Sequence, residues 1–177
     1  MKRYRLLLAS GADRSGIVHA VSQYVYQHSC NVEDSRMAVL GGRFAMMMLF
    51  SGKDKDVERF ETELEDFGRQ AGLSAVVSPA DCPEEPATAG PVVRMEVVAM
   101  DAPGILVQIA AALKELGVSI QSLDAHLAPA PTSGTTISSV KIKLAVPAGV
   151  EISKVEDEME RLAAQINLDI VIRPSQE

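Results

Sequence analysis

The chain has 177 residues, of which 47% are hydrophobic and 23% charged, and its formal net charge is −7 at pH 7. This composition is that of an ordinary globular protein and excludes disordered and fibrous classes. The acidic balance, without a Lys/Arg cluster, argues against direct binding of nucleic acid, and no apolar stretch approaches the roughly 20 residues that a membrane-spanning helix needs. We therefore expect a cytoplasmic protein, long enough for two domains of about 75 to 80 residues each.

Six elements are predicted in the first half of the chain, in the order β-α-β-β-α-β. The strands show alternating or continuous apolar runs, and the helices show apolar residues at spacings of three and four. Gly41-Gly42 separates the second strand from the third, which is typical of a hairpin. The strands are predicted at residues 4–10, 31–40, 43–51 and 73–78, and the helices at 17–28 and 57–71.

The same order restarts after residues 79–91, where four prolines and no hydrophobic periodicity predict a linker. Ser153 to Glu156 matches the capping-box pattern at the start of the last helix. We therefore predict two domains, residues 1–78 and 92–177, each an α+β ferredoxin-like fold with an antiparallel sheet and both helices on one face. In the second domain the strands are predicted at 92–100, 118–128, 137–146 and 168–173, and the helices at 104–117 and 153–166.

The two halves are an internal duplication. The segment Asp13-Arg14-Ser15-Gly16-Ile17 superimposes on Asp101-Ala102-Pro103-Gly104-Ile105 at an offset of 88 residues, and the match continues along the helix that follows. In both copies a strand leads into a glycine-containing turn and then a helix, so backbone N–H groups without helical partners point to one place. Because such a turn suits a small anion, we predict that the duplicated segment forms a pocket for a ligand carboxylate.

Asp13 and Asp101 have two compatible interpretations. Each aspartate caps the helix that follows, or the turn amides receive a ligand carboxylate while a nearby polar group such as Asn31 meets the ligand's ammonium group. In the second interpretation, Gly16 and Gly104 are positions where a Cβ would collide with the ligand or a neighbouring domain. Pro103 preorganises the second turn whereas Ser15 leaves a donor in the first, so only one of the two turns need be occupied.

The predicted sheets differ on the face that their helices leave open. In the second half, Glu96 lies on a strand next to Lys141 and Lys143, as expected for an ordinary solvent-exposed face. In the first half the equivalent strands are apolar on both sides, and we assign Leu6 and Met48 to the open face. We expect this face to contact a second copy or another protein; the alternative is that the second half or the linker folds over it.

Residues suited to catalysis are scattered. His19, His28 and His126 lack the spacing of a metal or catalytic motif, and neither a P-loop nor a nucleophile-elbow pattern occurs. We expect His28 to complement the dipole of the helix that it ends, and Cys30 and Cys82 to be unpaired thiols without zinc. The sequence therefore predicts a protein that is not an enzyme and that needs no cofactor or metal.

A polar run, Glu33-Asp34-Ser35-Arg36, opens an otherwise apolar strand. Alternation places Glu33 and Ser35 on one face and Asp34 and Arg36 on the other. Two interpretations remain open: the charges guard an exposed edge strand, or Asp34 and Arg36 form a network beside the glycine turn that contacts a ligand or another domain.

The tandem order and the D-x-x-G-I turn resemble the ACT domain family, small regulatory modules that bind amino acids, over nearly the whole chain. Residues 11–18, 30–41 and 48–52 are similar to the glycine cleavage repressor group of that family, except at Ser15, where the group usually has proline. The second half shows only the generic D-x-P-G-I turn. A similar pattern also occurs in the ACT domain of formyltetrahydrofolate deformylase, whose catalytic domain has no counterpart here.

The resemblance implies a sensor of a small amino acid, such as glycine, that has no DNA-binding domain of its own and acts by contacting a transcription activator. We also expect a homodimer. The alternatives are an accessory subunit that controls an amino-acid enzyme allosterically, and a structural dimer with a vestigial pocket. The expected ligand-contacting residues are Asp13, Arg14, Ser15, Gly16, Ile17 and Asn31 in the first half, and Asp101, Ala102, Pro103, Gly104 and Ile105 in the second.

Overall fold

The computed structural model describes residues 2–82, 90–129 and 134–175. The chain divides into two compact units, Met1–Glu84 and Glu85–Glu177, and the division falls within the predicted linker, of which residues 83–89 lie outside the described residues. Both units have the order β-α-β-β-α-β and a four-stranded antiparallel sheet. The predicted fold class is therefore confirmed.

The first unit has the strand order β2-β3-β1-β4. Its last strand extends two residues beyond the predicted end of the domain, because Pro79 and Ala80 continue to pair with the first strand. The elements are β1 (Lys2–Ala12), α1 (Ile17–Gln27), β2 (Asn31–Leu40), β3 (Arg43–Lys53), α2 (Asp54–Ala71) and β4 (Leu73–Ala80).

The second unit has the equivalent order β6-β7-β5-β8. Its elements are β5 (Val92–Met100), α3 (Ile105–Glu115), β6 (Ser119–Pro129), β7 (Thr136–Ala145), α4 (Ile152–Ile166) and β8 (Asp169–Pro174).

The predicted capping box at the start of α4 is wrong. The helix begins at Ile152, which packs on the core, so the N-cap position is Glu151 and no side chain caps the helix. Ser153 therefore lies inside the first turn, where its hydroxyl donates to the Glu151 carboxylate at 3.4 Å.

The core of the first unit lies between its sheet and its two helices and is rich in aromatic residues. The Tyr24 ring packs against Phe60 and Phe67 with ring centroids 4.6 and 4.2 Å apart, and its hydroxyl donates to the Phe60 carbonyl at 2.7 Å. Met48 belongs to this core, with 2% of its surface exposed. The assignment of Met48 to the open face is therefore wrong: β3 alternates in phase with Phe50, and Met47 is the residue that points outwards.

The core of the second unit is aliphatic. All three tyrosines and all four phenylalanines of the chain precede residue 68, so none of them lies in this half. The largest side chains that are fully buried there are Met95, Ile109, Leu113, Leu144 and Met159.

The duplication extends to an irregularity of the sheets. The β2–β3 ladder shifts register between Val32 and Asp34, and the β6–β7 ladder shifts between Ile120 and Ser122. These positions are equivalent at the offset of 88 residues. Each shift is a bulge, which sets one extra residue into the edge strand and bends it locally.

The open face of the first sheet is apolar at its centre. Leu8, Met47 and Val76 lie side by side on three neighbouring strands and are 43%, 50% and 59% exposed. Leu6 and Leu49 form the next row and are half-buried. The predicted apolar face is therefore present, and its contact with a protein stays a prediction.

Candidate ligand-binding turns

The two predicted turns have the same backbone geometry. Gly16 precedes α1 with φ 85° and ψ 0°, and Gly104 precedes α3 with φ 94° and ψ −3°. Each glycine carbonyl accepts the first helical hydrogen bond, from the Ala20 amide at 2.9 Å and from the Gln108 amide at 3.1 Å. A residue with a Cβ is strained at these angles, which accounts for glycine at both positions.

Asp13 and Asp101 are not helix caps. Glycine holds the N-cap position in both turns, and no side chain caps either helix. Instead, the Asp13 amide donates to the Gly42 carbonyl at 3.0 Å, and the Asp101 amide donates to the Thr136 carbonyl at 3.0 Å. Each aspartate lies three residues before the N-cap and thus joins its turn to the start of a neighbouring strand, at Gly42 just before β3 and at Thr136 in β7.

The glycines are also not close-approach positions within the described structure. A Cβ placed on Gly16 or Gly104 meets nothing within 4 Å. Residues 13–16 and 101–104 are exposed, whereas Ile17 and Ile105 are buried and fix the start of each helix in its core. Both turns are therefore open to solvent, while the helix that follows each of them is anchored in the core.

Among the residues that the structure describes, the first backbone donors of each helix have no partner. Because the first helical bonds start at Ala20 and Gln108, the three amides that precede each of them have no intrahelical acceptor. No side-chain oxygen caps these amides, and neither first turn contains an acidic residue. The partial positive charge of a helix N-terminus favours an anion, so either turn is suited to a carboxylate.

The turns differ in two of their side chains. Arg14 Nη2 donates to the Ala71 carbonyl at 2.9 Å and ties the first turn to the C-terminus of α2. Ala102 stands at the equivalent position and has no such group. Pro103 also lacks the amide hydrogen that Ser15 has, so the first turn offers more donors.

Asn31 does not lie beside the turn of its own unit. It pairs with Ser51, which pairs with Tyr4 near the start of β1, whereas Ala12 ends β1 next to the turn. These two levels of the sheet are separated by about 27 Å, at ~3.4 Å per strand residue. A single unit therefore does not bring Asn31 together with Gly16.

Glu33 is the centre of a polar cluster that sequence reasoning missed. Its Oε1 accepts hydrogen bonds from the Ser51 hydroxyl, from Lys2 Nζ at 2.9 Å and from Asn31 Nδ2 at 3.4 Å. The Ser51 hydrogen bond, and then that of Lys2, lowers the pKa of Glu33 from 4.5 to about 2. Strict alternation did not predict this cluster because the bulge turns Glu33 toward Ser51.

Asp34 and Arg36 form an ion pair with each other on the exposed strand β2. They pair with Leu49 and Met47 of β3, about halfway along the strands and away from the turn. The structure therefore favours the interpretation that these charges guard the edge strand, and it does not support a network beside the glycine turn.

The remaining candidates have structural surroundings. His28 is buried at the end of α1, where its Nδ1 donates to the Tyr24 carbonyl at 2.8 Å and its Nε2 lies 3.1 Å from Glu63 Oε2. His28 thus donates to a carbonyl of the last helical turn of α1, and its interaction with the helix dipole stays a prediction. Cys30 and Cys82 are free, and burial raises the pKa of the Cys30 thiol.

Within residues 2–82, 90–129 and 134–175, no three His, Cys, Asp or Glu side chains are grouped so that they could hold a metal ion. The same residues include no helix of the length and apolar character that crossing a membrane requires.

The fold and the paired turns define the class of the protein. Residues 4–78 match the family model of the ACT domain, and the second unit repeats the same topology. The first unit therefore belongs to the ACT domain family, and the second unit repeats its fold.

Among individual relatives, the chain is 28% identical over 167 residues to the glycine cleavage system transcriptional repressor of Escherichia coli, across 94% of this chain and 87% of the repressor. A UPF0237 protein of Methanopyrus kandleri is 38% identical over 73 residues, 40% of this chain and 81% of that protein. The solved structure of an unknown protein from Galdieria sulphuraria matches with a TM-score of 0.85 and 30% identity, over 99% of this chain and 100% of that one.

Proposed function

We propose that this protein is a cytoplasmic, non-catalytic regulator that senses a small amino acid such as glycine and acts by contacting another protein, in the transcriptional control of glycine cleavage or amino-acid metabolism. The observation that carries the proposal is the pair of equivalent open turns, each with unpartnered helix amides. The similarity to a named repressor along 94% of the chain supports it.

In this proposal the ligand's carboxylate accepts hydrogen bonds from the first amides of α1 or α3. The first turn is the stronger candidate, because Ser15 supplies an amide and a hydroxyl where Pro103 supplies no amide donor. Arg14 holds this turn against the end of α2 through the Ala71 carbonyl. A ligand there would therefore stabilise the packing of α2 as well as the turn.

The regulatory contact is proposed to use the apolar open face of the first sheet. Leu8, Met47 and Val76 would lose most of their exposure against a second copy or against a transcription activator, and burying each is worth roughly 1.5 to 3 kcal/mol. A ligand alters this contact only if it binds more tightly to one of the two states, typically by 1 to 3 kcal/mol.

Thermal unfolding of the full chain against each of the twenty amino acids tests ligand binding. A ligand at about a hundred times its dissociation constant stabilises the folded state by about 2.7 kcal/mol. We expect one or a few small amino acids to raise the melting temperature, and calorimetry to show saturable binding. A panel without a single shift would contradict the sensing proposal and favour the structural dimer.

Variants Gly16→Val and Gly104→Val, made separately, identify the turn that binds. Gly149→Val is the matched control, because Gly149 has φ +94°, as Gly104 has, and equally open surroundings. We expect one turn variant to lose the ligand response and Gly149→Val to keep it. If both turn variants respond fully, the site assignment is wrong.

Pull-down with the full chain separates the proposed mode of action from its alternative. Capture of a transcription activator in a ligand-dependent manner supports transcriptional regulation. Capture of an amino-acid enzyme whose activity then changes with ligand supports the accessory-subunit alternative.

A further inference from the structure

The open face of the second sheet places three basic residues side by side. Arg94 on β5 pairs with Lys143 on β7 and with Arg173 on β8, so three neighbouring strands present a cation at the same level. All three residues are exposed. Like charges directly opposite each other on adjacent strands are unfavourable.

The basic row, Arg94, Lys143 and Arg173, has no basic counterpart in the first sheet. The equivalent row of the first sheet contains Leu6, Leu49 and Ser78. The chain as a whole has a net charge of −7, so its average composition does not predict three adjacent cations. The row is therefore specific to the second sheet.

A surface cavity of about 300 Å³ includes two residues of this row, Arg94 and Lys143, and extends from them toward β6. In the part of the chain that the structure describes, neither Lys143 nor Arg173 has an ion-pair partner. The polar side chains of the cavity are three cations, two carboxylates and a hydroxyl, from Arg94, Lys141, Lys143, Glu96, Asp124 and Ser122.

We propose that the basic row binds a small anion with two or more negative charges, the class that includes pyrophosphate, phosphate esters and tricarboxylates. The forked guanidinium group of Arg173 matches carboxylate and phosphate oxygens, and Lys143 adds a point charge. The row spans two strand spacings, about 10 Å, which suits a compact multivalent ion.

The neighbouring row argues for a small ion rather than an acidic chain. Glu96 on β5, Lys141 on β7 and Asp124 on β6 form the next row, so two carboxylates lie on one side of the basic row. An acidic peptide or a nucleic-acid strand that continued along the face would meet these carboxylates. The site goes beyond the proposed amino-acid sensing, because it lies in the sheet and not in the turns.

Calorimetric titration of the full chain with pyrophosphate and with citrate, at ionic strength held constant with NaCl, tests the proposal. We expect saturable binding of one anion per chain, weakened at least tenfold in the double variant Lys143→Gln/Arg173→Gln. Lys114→Gln on α3 removes the same charge from an exposed position elsewhere in the unit and should leave the affinity unchanged. Absence of saturable binding of both anions, or equal weakening by Lys114→Gln, overturns the proposal.

A second measurement does not depend on choosing the right anion. Without added anion, Lys143→Gln should unfold at the same or a higher temperature than the wild-type protein, because it relieves repulsion in the row. If the variant is less stable than the wild type while Lys114→Gln is not, Lys143 has a structural role and the proposal fails.

Discussion

Replacement of Gly16 by alanine separates backbone strain from crowding at the first turn. An L-residue in the left-handed region costs about 1 to 2 kcal/mol, and a Cβ at Gly16 meets nothing within 4 Å, so crowding adds nothing. Alanine also lowers the conformational entropy of the unfolded chain, which stabilises the folded state by about 0.4 to 1 kcal/mol. We therefore expect Gly16→Ala to lower the free energy of unfolding by about 1 kcal/mol, or the melting temperature by about 4 to 8 °C for a unit of this size.

Gly16→Asn is the matched variant, because asparagine restricts the unfolded chain similarly but tolerates positive φ. It should lose clearly less stability than Gly16→Ala. Gly11→Ala gives the opposite case: its Cβ would lie 2.7 Å from the Gly72 carbonyl oxygen and 2.8 Å from Leu73 Cδ2, so crowding dominates there.

Tyrosine fluorescence is the appropriate assay, because Tyr4, Tyr24 and Tyr26 all lie in the first unit and the chain has no tryptophan. The signal therefore follows unfolding of the unit that contains Gly16, without interference from the second. Equal destabilisation by alanine and asparagine at Gly16, or none by alanine, would refute the argument from φ.

Two further predictions concern the first sheet. The pKa of Glu33 is lowered from 4.5 to about 2, so Glu33 adds stability above about pH 4.5 that disappears as the pH falls toward 2. Ser51→Ala should weaken this pH dependence in acid denaturation monitored by tyrosine fluorescence. An unchanged profile would contradict the role of Ser51. Met47→Lys should leave the fold intact and abolish the self-association that light scattering measures. Met48→Lys should instead unfold the unit, because Met48 is 2% exposed. A wild-type protein that is already monomeric would exclude the dimer.

The order of the twelve elements was predictable from the sequence because hydrophobic period is a local property. Strand and helix periods were each repeated over several residues, and the offset of 88 residues gave a second copy of every pattern. The ends of elements were less predictable, since β4 continues to Ala80 through pairing with β1.

The candidate site was only partly predictable, for two physical reasons. The turns were visible as Gly16 and Gly104, but the reason for glycine is backbone φ, which the sequence does not reveal. The places of Asn31, Glu33 and Met48 depend on strand register and on a bulge, which are tertiary properties. In an apolar run such as that around Met48, the sequence alone does not show which side chains point into the core and which point outwards.

The paired bulges in β2 and β6 have an evolutionary consequence. An extra residue in a strand inverts the orientation of every residue beyond it, so the gain or loss of such an insertion changes which face the rest of the strand presents. Its presence in both halves indicates that the ancestor already had it when the gene segment was copied. The two copies thus share the backbone irregularity, whereas their side chains have diverged: the first core is rich in aromatic residues under an apolar open face, and the second is aliphatic with a row of cations on its open face.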